Sequence, residues 1–252
     1  MNRIIQAEAL VALSSLETAS FDLVYIDPPF GTGNVQKSHR GSYVDPNIDY
    51  AEFLRPHLVE AHRVLKASGA LCLHLDWHNV HRAKLMCDEV FGPESFLNEI
   101  IWAYDFGGRG RDRWPRKHDN ILVYVKTPGQ HVFNWDDIER IPYMAPRLQS
   151  DPQKLAAGKV PTDVWWMTIV GTNSQERLGY PTQKPVQLVK RFVVALTPAN
   201  GTVLDFFAGS GTTGAAALEA GRSFVLVDSS PVAVATMAQR FQSAPVNGSA
   251  TS

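Results

Sequence analysis

The sequence predicts an α/β fold with a doubly wound, mostly parallel sheet, and three observations lead to this prediction. Short apolar runs alternate with segments of helical periodicity in both halves of the chain. A glycine-rich turn follows one of these runs and precedes a helical segment. The chain has 252 residues, of which 44% are hydrophobic, so it can bury a sheet beneath helices on both faces without a disulfide or a metal.

The first part of the chain, residues 1–125, alternates predicted strands and helices. The strands are predicted over residues 21–26, 70–75, 97–104 and 121–125, and the helices over residues 50–66 and 78–91. Pro56 interrupts the first helical pattern, so we expect that helix to kink there or to begin one turn later. Gly92-Pro93 ends the second helix.

The rest of the chain divides into an irregular segment and a regular one. Residues 126–180 have little periodicity and predict a small irregular insertion. Residues 181–244 predict helices over 186–196, 215–220 and 231–241 and strands over 202–207 and 223–227. Residues 245–252 are small and polar and predict a disordered tail. We therefore expect one domain over residues 1–244, with ligands at the carboxyl ends of its strands, near the point where strand order reverses.

Composition argues against several classes of protein. The net charge of −1 counts against a large basic face that coats nucleic acid, although not against a local basic patch. No apolar run is long enough to span a membrane and the first residues do not form a secretory signal, so the two cysteines predict a reducing, cytoplasmic location. We predict no metal site, because the following cysteines and histidines lack the spacing of a ligand set: Cys72, His74, His78, His81 and Cys87.

The glycine turn predicts a cofactor site. Gly209-Ser210-Gly211-Thr212-Thr213-Gly214 has the G-x-G-x-x-G spacing, and Asp228 ends the next strand, where a ribose-binding acid belongs. This pattern predicts a cofactor that contains adenosine, with NAD and FAD among the candidates. Asp205 precedes the turn, however, and a carboxylate there would repel a pyrophosphate but attract a cationic ammonium. S-adenosylmethionine has that ammonium and no phosphate, and a P-loop is excluded because no lysine follows the last glycine.

A second motif, Asp27-Pro28-Pro29-Phe30, predicts catalysis at an amino group. The lone pair of an amino group on a base is delocalised into the ring, which makes the nitrogen a poor nucleophile. Two acceptors aimed at its hydrogens, the Asp27 carboxylate and the Pro28 carbonyl, would free that lone pair. The two prolines fix the local backbone and keep these acceptors preorganised. Phe30 can stack on the base, and methyl transfer then requires only in-line placement of the donor.

Together these residues resemble the amino-methyltransferases of DNA, which methylate adenine N6 or cytosine N4. The catalytic motif precedes the cofactor turn, as in the beta class, where a target-recognition segment lies between them. Residues 177–185 are similar to the family's lead-in to its cofactor helix, and residues 203–213 resemble the cofactor motif of type III modification subunits. Many relatives have proline where Phe206 stands. The resemblance also extends to solitary site-specific adenine methyltransferases.

The resemblance implies a Rossmann-like methyltransferase fold and a role for each matching residue. It leaves open whether the setting is a restriction–modification system, a phage or an orphan regulator. Asp27, Pro28, Pro29 and Phe30 would hold a base flipped out of double-stranded DNA. Thr182 and Lys184 would approach the cofactor carboxylate, and a homodimer is expected. The residues expected around S-adenosylmethionine are Thr182, Lys184, Pro185, Asp205, Phe206, Phe207, Gly209, Ser210, Gly211, Thr212, Thr213 and Asp228. Aspartate as the first motif residue favours adenine N6, because N4-cytosine enzymes more often carry serine there.

Two further segments predict contacts with DNA. The glycine-rich loop over residues 105–119 carries five cations suited to phosphates, alongside the alternative of a solvated charged loop: Arg109, Arg111, Arg113, Arg116 and Lys117. In the same loop, Trp114 is expected either to stack on bases or to pack. The insertion over residues 126–180 stands in the place of the target-recognition segment and supplies Trp165, Trp166, Asn173 and Gln175. The tryptophans favour the core, and the amides can read adenine.

Several functional alternatives remain open from the sequence. The nearest is an N4-cytosine methyltransferase, and a methyltransferase acting on RNA or protein is another. A nicotinamide-dependent oxidoreductase rests on the glycine turn alone and leaves the Asp27–Phe30 motif unexplained. A catalytically idle DNA-binding relative is disfavoured by the presence of Asp27.

Overall fold

The computed structural model describes residues 2–31, 33, 35–38, 41–45 and 49–242. The strands in these residues are β1 (Arg3–Gln6), β2 (Phe21–Ile26), β3 (Val35–Ser38), β4 (Gly41–Val44), β5 (Leu65–Leu75), β6 (Phe96–Ala103), β7 (His118–Val125), β8 (Val164–Trp166), β9 (Thr202–Asp205) and β10 (Ser223–Asp228). The helices are α1 (Ala9–Ser14), α2 (Tyr50–Val64), α3 (Val80–Phe91), α4 (Pro152–Ala157), α5 (Val186–Leu196), α6 (Thr212–Glu219) and α7 (Pro231–Arg240). The predicted tail over residues 245–252 lies outside the described residues, as does Thr32 beside the Asp27–Phe30 motif.

Eight of the described strands form one sheet in the order β1-β10-β9-β2-β5-β7-β6-β8, and β3 and β4 form a separate hairpin. Only β7 runs antiparallel to its neighbours in this sheet, which confirms the mostly parallel prediction. Strand order reverses between β2 and β9. The strands that follow β2 in sequence, from β5 to β8, lie on one side of it in the sheet, whereas β9 and β10 lie on its other side. Leu23 pairs with Val203 and Val24 with Leu204, so both strands end at the same edge.

Apolar side chains of the sheet alternate between its two faces and bury two hydrophobic clusters. On β2, Val24 and Ile26 belong to the cluster beneath α1, α2 and α3. Leu23 and Tyr25 belong to the cluster beneath α5, α6 and α7. Helices therefore cover both faces of the sheet, which confirms the doubly wound prediction.

The predicted elements are found with different ends. Helix α2 begins at Tyr50, not one turn later, because the Asp49 side chain accepts hydrogen bonds from two backbone N–H groups of its first turn, and the helix continues past Pro56. Helix α6 begins at Thr212, three residues before the prediction, because Gly211 is its N-cap in the left-handed conformation (φ 75°). Strands β1 and β3 to β4 and helix α1 were not predicted, since runs of four to six residues carry little periodicity.

The insertion over residues 126–180 is irregular, as predicted, and is attached to the edge of the sheet. Strand β8 pairs in parallel with β6. Glu139 of the insertion accepts hydrogen bonds from Gln187 at 3.1 Å and from Arg191 at 3.1 Å, both on α5. The insertion is therefore tied to the helix that packs beneath the candidate site.

Candidate active site

A cleft of about 860 Å³ opens at the carboxyl ends of the strands, where strand order reverses. It brings together the two motifs that lie far apart in the sequence. The predicted site residues that line it are Asp27, Pro28, Pro29, Phe30, Arg116, Thr182, Lys184, Asp205, Phe207, Gly209, Ser210, Thr212, Thr213 and Asp228. This grouping agrees with the expected position of a ligand site in a doubly wound sheet.

Asp27 directly follows β2 and lines the cleft. Its Oδ2 accepts a hydrogen bond from Lys184 Nζ at 2.6 Å, whereas its Oδ1 is buried with no hydrogen-bond partner among the described residues. A buried acceptor without a partner costs about 1–3 kcal/mol, so its retention calls for an explanation such as a functional role. Pro28 and Pro29 restrict the backbone that follows, which keeps the carboxylate and the Pro28 carbonyl in place.

Lys184 lies against the catalytic motif, with its side chain 12% exposed. Burial alone would lower the pKa of its ammonium, but the carboxylates of Asp27, Asp119 and Asp76 outweigh burial and raise that pKa. The ring of Phe30 lies 5.3 Å from Nζ. In the structure the Lys184 ammonium is paired with Asp27, and its contact with the cofactor carboxylate stays a prediction.

The backbone of the catalytic motif has supports that the sequence did not indicate. Asn79 Nδ2 donates to the Phe30 carbonyl at 2.6 Å, and the Gly31 N–H donates to Asp45 Oδ1 at 3.2 Å. Asn79 precedes α3. These contacts hold the backbone on either side of the Phe30–Gly31 bond, and Phe30 lines the cleft, where the sequence predicts stacking on a base.

Asp205 is the last residue of β9 and is buried. Its Oδ1 accepts from the Phe207 N–H at 2.9 Å, and its Oδ2 accepts from Thr213 Oγ1 at 2.6 Å. Burial and, to a smaller extent, the charges of Asp27 and Asp228 together raise the pKa of Asp205 to about 7, against the opposing effect of these two hydrogen bonds. A carboxylate with this pKa is stabilised by a cation, so the donor set fits a ligand with an ammonium group.

Asp228 ends β10 and holds the glycine turn. Its Oδ2 accepts from the Gly209 N–H at 2.8 Å, and its Oδ1 accepts from the Ser230 N–H at 2.9 Å. Burial raises its pKa. Each oxygen keeps a further lone pair, so the predicted hydrogen bonds with a ribose are compatible with this role.

Gly209 is placed where a side chain would close the cleft. It adopts φ 50°, and a Cβ there would lie 3.2 Å from the ring of Tyr180. Tyr180, which the sequence did not single out, therefore forms the wall opposite the turn. Ser210 and Thr212 line the same part of the cleft, and their hydroxyl oxygens lie 3.2 Å apart.

Three residues predicted to contact the cofactor do not line the cleft. Phe206 is buried, with its ring stacked on His57 at 6.0 Å between centroids. Gly211 is required for helix packing, because a Cβ there would lie 2.9 Å from the side chains of both Met237 and Phe241. Pro185 is the N-cap residue of α5 and is buried. All three positions have a structural role in the described residues, and their contact with the cofactor stays a prediction.

A buried hydrogen-bonded chain beside the cleft was not predicted. Tyr104 Oη donates to Asp119 Oδ1 at 3.0 Å, and His74 Nε2 lies 3.0 Å from Asp119 Oδ2. Burial would raise the pKa of Asp119, but its bonds with His74 and Tyr104 and the charge of Lys184 hold it below its ordinary value. Because the ionised Asp119 only accepts, His74 Nε2–H donates to it. On the other side of the ring, His74 Nδ1 lies 2.8 Å from Tyr25 Oη.

The candidate DNA-binding loop leaves the same edge of the sheet, between β6 and β7. Arg116 lines the cleft, and its guanidinium lies 3.5 Å from the ring centroid of Trp77. The other four cations do not line the cleft. Arg109 and Arg113 form ion pairs with Asp105 and Asp112, and Lys117 donates to the carbonyls of Phe106 and Gly108. Phosphate contact by these residues stays a prediction.

Two of the tryptophans considered for DNA contact are exposed, and the third packs against the core. Trp114 is 92% exposed, so the expected packing role for it is wrong. Trp166 is 75% exposed, contrary to the core prediction. Trp165 packs on Phe192, with 4.9 Å between ring centroids. Asn173 and Gln175 are exposed.

Four of the cysteines and histidines weighed as metal ligands serve packing or hydrogen bonding: Cys72 and Cys87 are buried, and His74 and His78 bond to Asp119 and Asp76. Cys72 and Cys87 are unpaired and buried, and burial raises the pKa of both thiols. Across the described ranges of the chain, no cluster of three or more histidine, cysteine or acidic residues is arranged to hold a metal ion. Within those same ranges, none of the helices has the length and apolarity needed to cross a bilayer.

Comparison with known sequences connects this cleft to an enzyme family. The profile of a family described as DNA methylase, of the N6/N4 type, matches residues 21–239. The DNA adenine methyltransferase YhdJ of Escherichia coli strain K12 is 32% identical over 235 residues, covering 89% of this chain and 77% of YhdJ. The type II methyltransferase M.HpaI of Haemophilus parainfluenzae is 32% identical over 230 residues, covering 90% of this chain and 69% of that enzyme.

Solved structures show the same architecture. The cytosine-N4-specific PvuII DNA methyltransferase has a TM-score of 0.69 at 18% identity, covering 96% of this chain and 86% of that chain. M1.HpyAVI in complex with S-adenosylmethionine has a TM-score of 0.65 at 19% identity, covering 96% of this chain and 99% of that chain. At these identities the likeness shows the fold, and it confirms the predicted methyltransferase type of doubly wound sheet.

Proposed function

The chain belongs to the N6/N4 DNA methylase family, and we propose that it transfers a methyl group from S-adenosylmethionine to the N6 amino group of an adenine flipped out of double-stranded DNA. The observation that carries this proposal is the position of Asp27 and Asp205 in one cleft. One carboxylate belongs to the motif suited to an amino group, and the other to the turn suited to a cationic cofactor. Family membership removes the oxidoreductase alternative.

The catalytic motif supplies acceptors for the amino group of the base. The Asp27 carboxylate has lone pairs beyond the one used by Lys184, including those of the unpartnered Oδ1. The Pro28 carbonyl supplies a second acceptor, and Phe30 offers a ring for stacking. Two accepted hydrogen bonds favour a tetrahedral nitrogen with a free lone pair, and the Asp27 carboxylate can take up the proton that the nitrogen releases.

The cofactor half of the cleft fits the proposed donor. S-adenosylmethionine supplies an electrophilic methyl group on a sulfonium. Asp205 would bind its ammonium, and Asp228 its ribose hydroxyls, while Gly209 leaves room beside Tyr180 for the adenosine. Thr182 lines this region with φ 62°, an unusual conformation for a β-branched residue. Strain of this kind is characteristic of ligand sites.

Adenine is proposed as the base on two grounds. The first motif residue is Asp27, where the N4-cytosine enzymes of the family more often have serine. The relative YhdJ, at 32% identity, is named as a DNA adenine methyltransferase. The N4-cytosine likeness of the PvuII enzyme is at 18% identity and concerns the fold.

Double-stranded DNA is the proposed partner. The loop between β6 and β7 and the exposed Trp166 are proposed to lie beside the DNA. A homodimer and a cytoplasmic location are further parts of the proposal. Size-exclusion chromatography with light scattering, with and without a DNA duplex, would measure the oligomeric state directly. A mass of 27.9 kDa for the free protein would refute the homodimer.

The proposed function is tested by incubating the purified protein with S-adenosylmethionine and unmethylated genomic DNA. The DNA is digested to nucleosides, and methylated bases are measured by mass spectrometry. We expect N6-methyladenine with the wild type, none above background with Asp27→Ala, and the wild-type amount with Glu89→Ala, a surface carboxylate paired with Arg55. N4-methylcytosine in place of N6-methyladenine would refute the base assignment, and no methylated base despite donor binding would refute the DNA methyltransferase proposal.

A further inference from the structure

The ion pair between Lys184 and Asp27 joins the two halves of the cleft across 157 positions of sequence, at 2.6 Å. Both side chains are largely buried, at 12% and 18% exposure. We propose that Lys184 is a positioning residue that holds the Asp27 carboxylate in the orientation that receives the substrate amino group. This inference rests on the proposed function, and it assigns to Lys184 a role at the base and none at the carboxylate of the methyl donor.

The charges around Lys184 favour this role. Asp27, Asp119 and Asp76 all act on its ammonium, so its positive charge is already offset by several carboxylates. A further carboxylate, that of the methyl donor, would gain little there. The nearby Phe30 ring, 5.3 Å from Nζ, adds a contact on the side of the base.

The ion pair engages one oxygen of Asp27 and leaves the other available. Asp27 shares the cleft with the carboxyl groups of Asp205 and Asp119, and Lys184 supplies a hydrogen-bonded cation to Asp27. The Lys184 ammonium occupies one lone pair of Oδ2, which leaves the remaining lone pairs, including those of the unpartnered Oδ1, for the substrate.

The backbone of Lys184 is fixed from the cofactor half. Its carbonyl accepts a hydrogen bond at 3.2 Å from Oγ1 of Thr212, which is the first residue of α6. The neighbouring Gln183 side chain accepts from the Leu178 N–H at 2.9 Å and donates to the Glu176 carbonyl at 2.7 Å. These bonds hold the segment that presents the ammonium, so the orientation of Asp27 depends on both halves of the site.

The experiment compares Lys184→Met, which keeps the apolar stem, with Lys184→Arg, which restores a cation. The matched control is Lys190→Met, because Lys190 forms an exposed ion pair with Glu219 on the surface at 3.0 Å. The affinity for S-adenosylmethionine is measured by calorimetry. The single-turnover rate of methylation of unmethylated genomic DNA is measured at saturating S-adenosylmethionine.

We expect Lys184→Met to lower the single-turnover rate on the order of 100-fold, as for loss of one preorganised charged group, with a change in donor Kd of less than about threefold. Lys184→Arg should recover at least about tenfold of that rate, because a guanidinium also binds a carboxylate. Lys190→Met should match the wild type. An unchanged rate in Lys184→Met, or a donor Kd raised about tenfold or more, would overturn the inference.

Stability keeps the inference testable if Lys184→Met folds poorly. Removing the cation alone leaves Asp27 as an uncompensated buried charge, whereas Asp27→Asn/Lys184→Met removes both charges. The double variant should therefore melt at or above the melting temperature of Lys184→Met. A stability loss in the double variant equal to the sum of the losses in Lys184→Met and Asp27→Asn would contradict the pairing. Failure of the wild type to methylate DNA refutes the proposed function, whereas an active wild type with an equally active Lys184→Met refutes this inference alone.

Discussion

Asp27 and Asp205 stand at the carboxyl ends of β2 and β9, the two neighbouring parallel strands between which strand order reverses. Their charges are coupled, since Asp27 raises the pKa of Asp205. The proposed roles place the acceptor for an amino group on one side of the cleft and the binding site for a cation on the other. This proximity is what in-line methyl transfer between two bound molecules requires.

The pKa of Asp205, about 7, predicts that binding of S-adenosylmethionine depends on pH. Below that pKa Asp205 is neutral in the free protein, so a cationic donor must displace a proton in order to bind beside a carboxylate. We expect the donor Kd to rise as pH falls from 7.5 to 5.5, approaching about tenfold for each pH unit below 7. Calorimetry in buffers of different ionisation enthalpy measures the released proton directly.

Two variants serve as controls for this pH dependence. Asp205→Asn should bind the donor more weakly at every pH and lose most of the dependence. Thr213→Val removes a hydrogen bond that lowers the pKa of Asp205, so its transition should move to higher pH. A wild-type Kd that is constant between pH 5.5 and 7.5 would contradict the assignment of Asp205 to the ammonium.

The same raised pKa has a consequence for stability. A carboxyl group whose pKa is higher in the folded than in the unfolded chain favours folding at low pH, and this contribution is lost as pH rises from about 4 through about 7. Asp205→Asn removes the buried charge and keeps a side chain that can bond to Phe207 and Thr213. We expect this variant to be more stable than the wild type at pH 8, on the order of 1–4 kcal/mol, and similar at pH 4. Urea titrations at both pH values provide the measurement, and a variant less stable at pH 8 than at pH 4, relative to the wild type, would contradict it.

Gly211 and Gly221 offer a matched pair for testing how the cofactor helix packs. Both adopt left-handed backbone, with φ of 75° and 70°. A Cβ at Gly211 would lie 2.9 Å from Met237 and Phe241, whereas no described atom lies within 4 Å of a Cβ at Gly221. Gly221→Ala should therefore cost only the backbone strain, about 1 kcal/mol, and Gly211→Ala about 1–3 kcal/mol more through overpacking. Equal losses of unfolding free energy in urea would show that the packing at Gly211 is not limiting.

The two motifs of the candidate site could be recognised from the sequence because each of them is local. A strand followed by Asp-Pro-Pro-Phe, and a strand followed by a glycine turn, carry their signal within ten residues. Phe206 and Phe207 are both expected at the cofactor, because two consecutive aromatic residues follow β9 and the pattern does not reveal which of them enters the cleft. In the structure Phe207 lines the cleft and Phe206 is buried.

Contacts between strands distant in sequence were beyond prediction, because they depend on strand order. His74 bonds with Tyr25 of β2 and Asp119 of β7 only because β5 lies between these two strands. Lys184 reaches Asp27 for the same reason, since β9 and β2 are neighbours and α6 holds the Lys184 carbonyl. The sequence shows single polar residues within apolar strands, but it does not show which residues they bond to.

The loop between β6 and β7 provides the last prediction, which concerns DNA. Arg109, Arg111 and Arg113 are exposed, and two of them already pair with local aspartates, Asp105 and Asp112. Because exposed ion pairs of this kind contribute little energy, the arginines can exchange these carboxylates for phosphates at small cost. Arg109→Ala/Arg111→Ala/Arg113→Ala should weaken binding to duplexes of any sequence and leave the donor Kd unchanged.

Salt dependence separates phosphate contact from an indirect effect of the triple variant. Each lost phosphate contact lowers the slope of log K against log salt concentration by about 0.9, so a slope reduced by about 2–3 is expected if all three arginines contact the backbone. Arg55→Ala, at an exposed arginine paired with Glu89 on α3, is the control and should keep the wild-type slope. Fluorescence anisotropy with a labelled duplex, at salt concentrations from about 50 to 300 mM, measures the affinity for DNA and its salt slope. An unchanged slope in the triple variant would assign these arginines to the solvated surface, because a residue that neutralises a phosphate must release counterions.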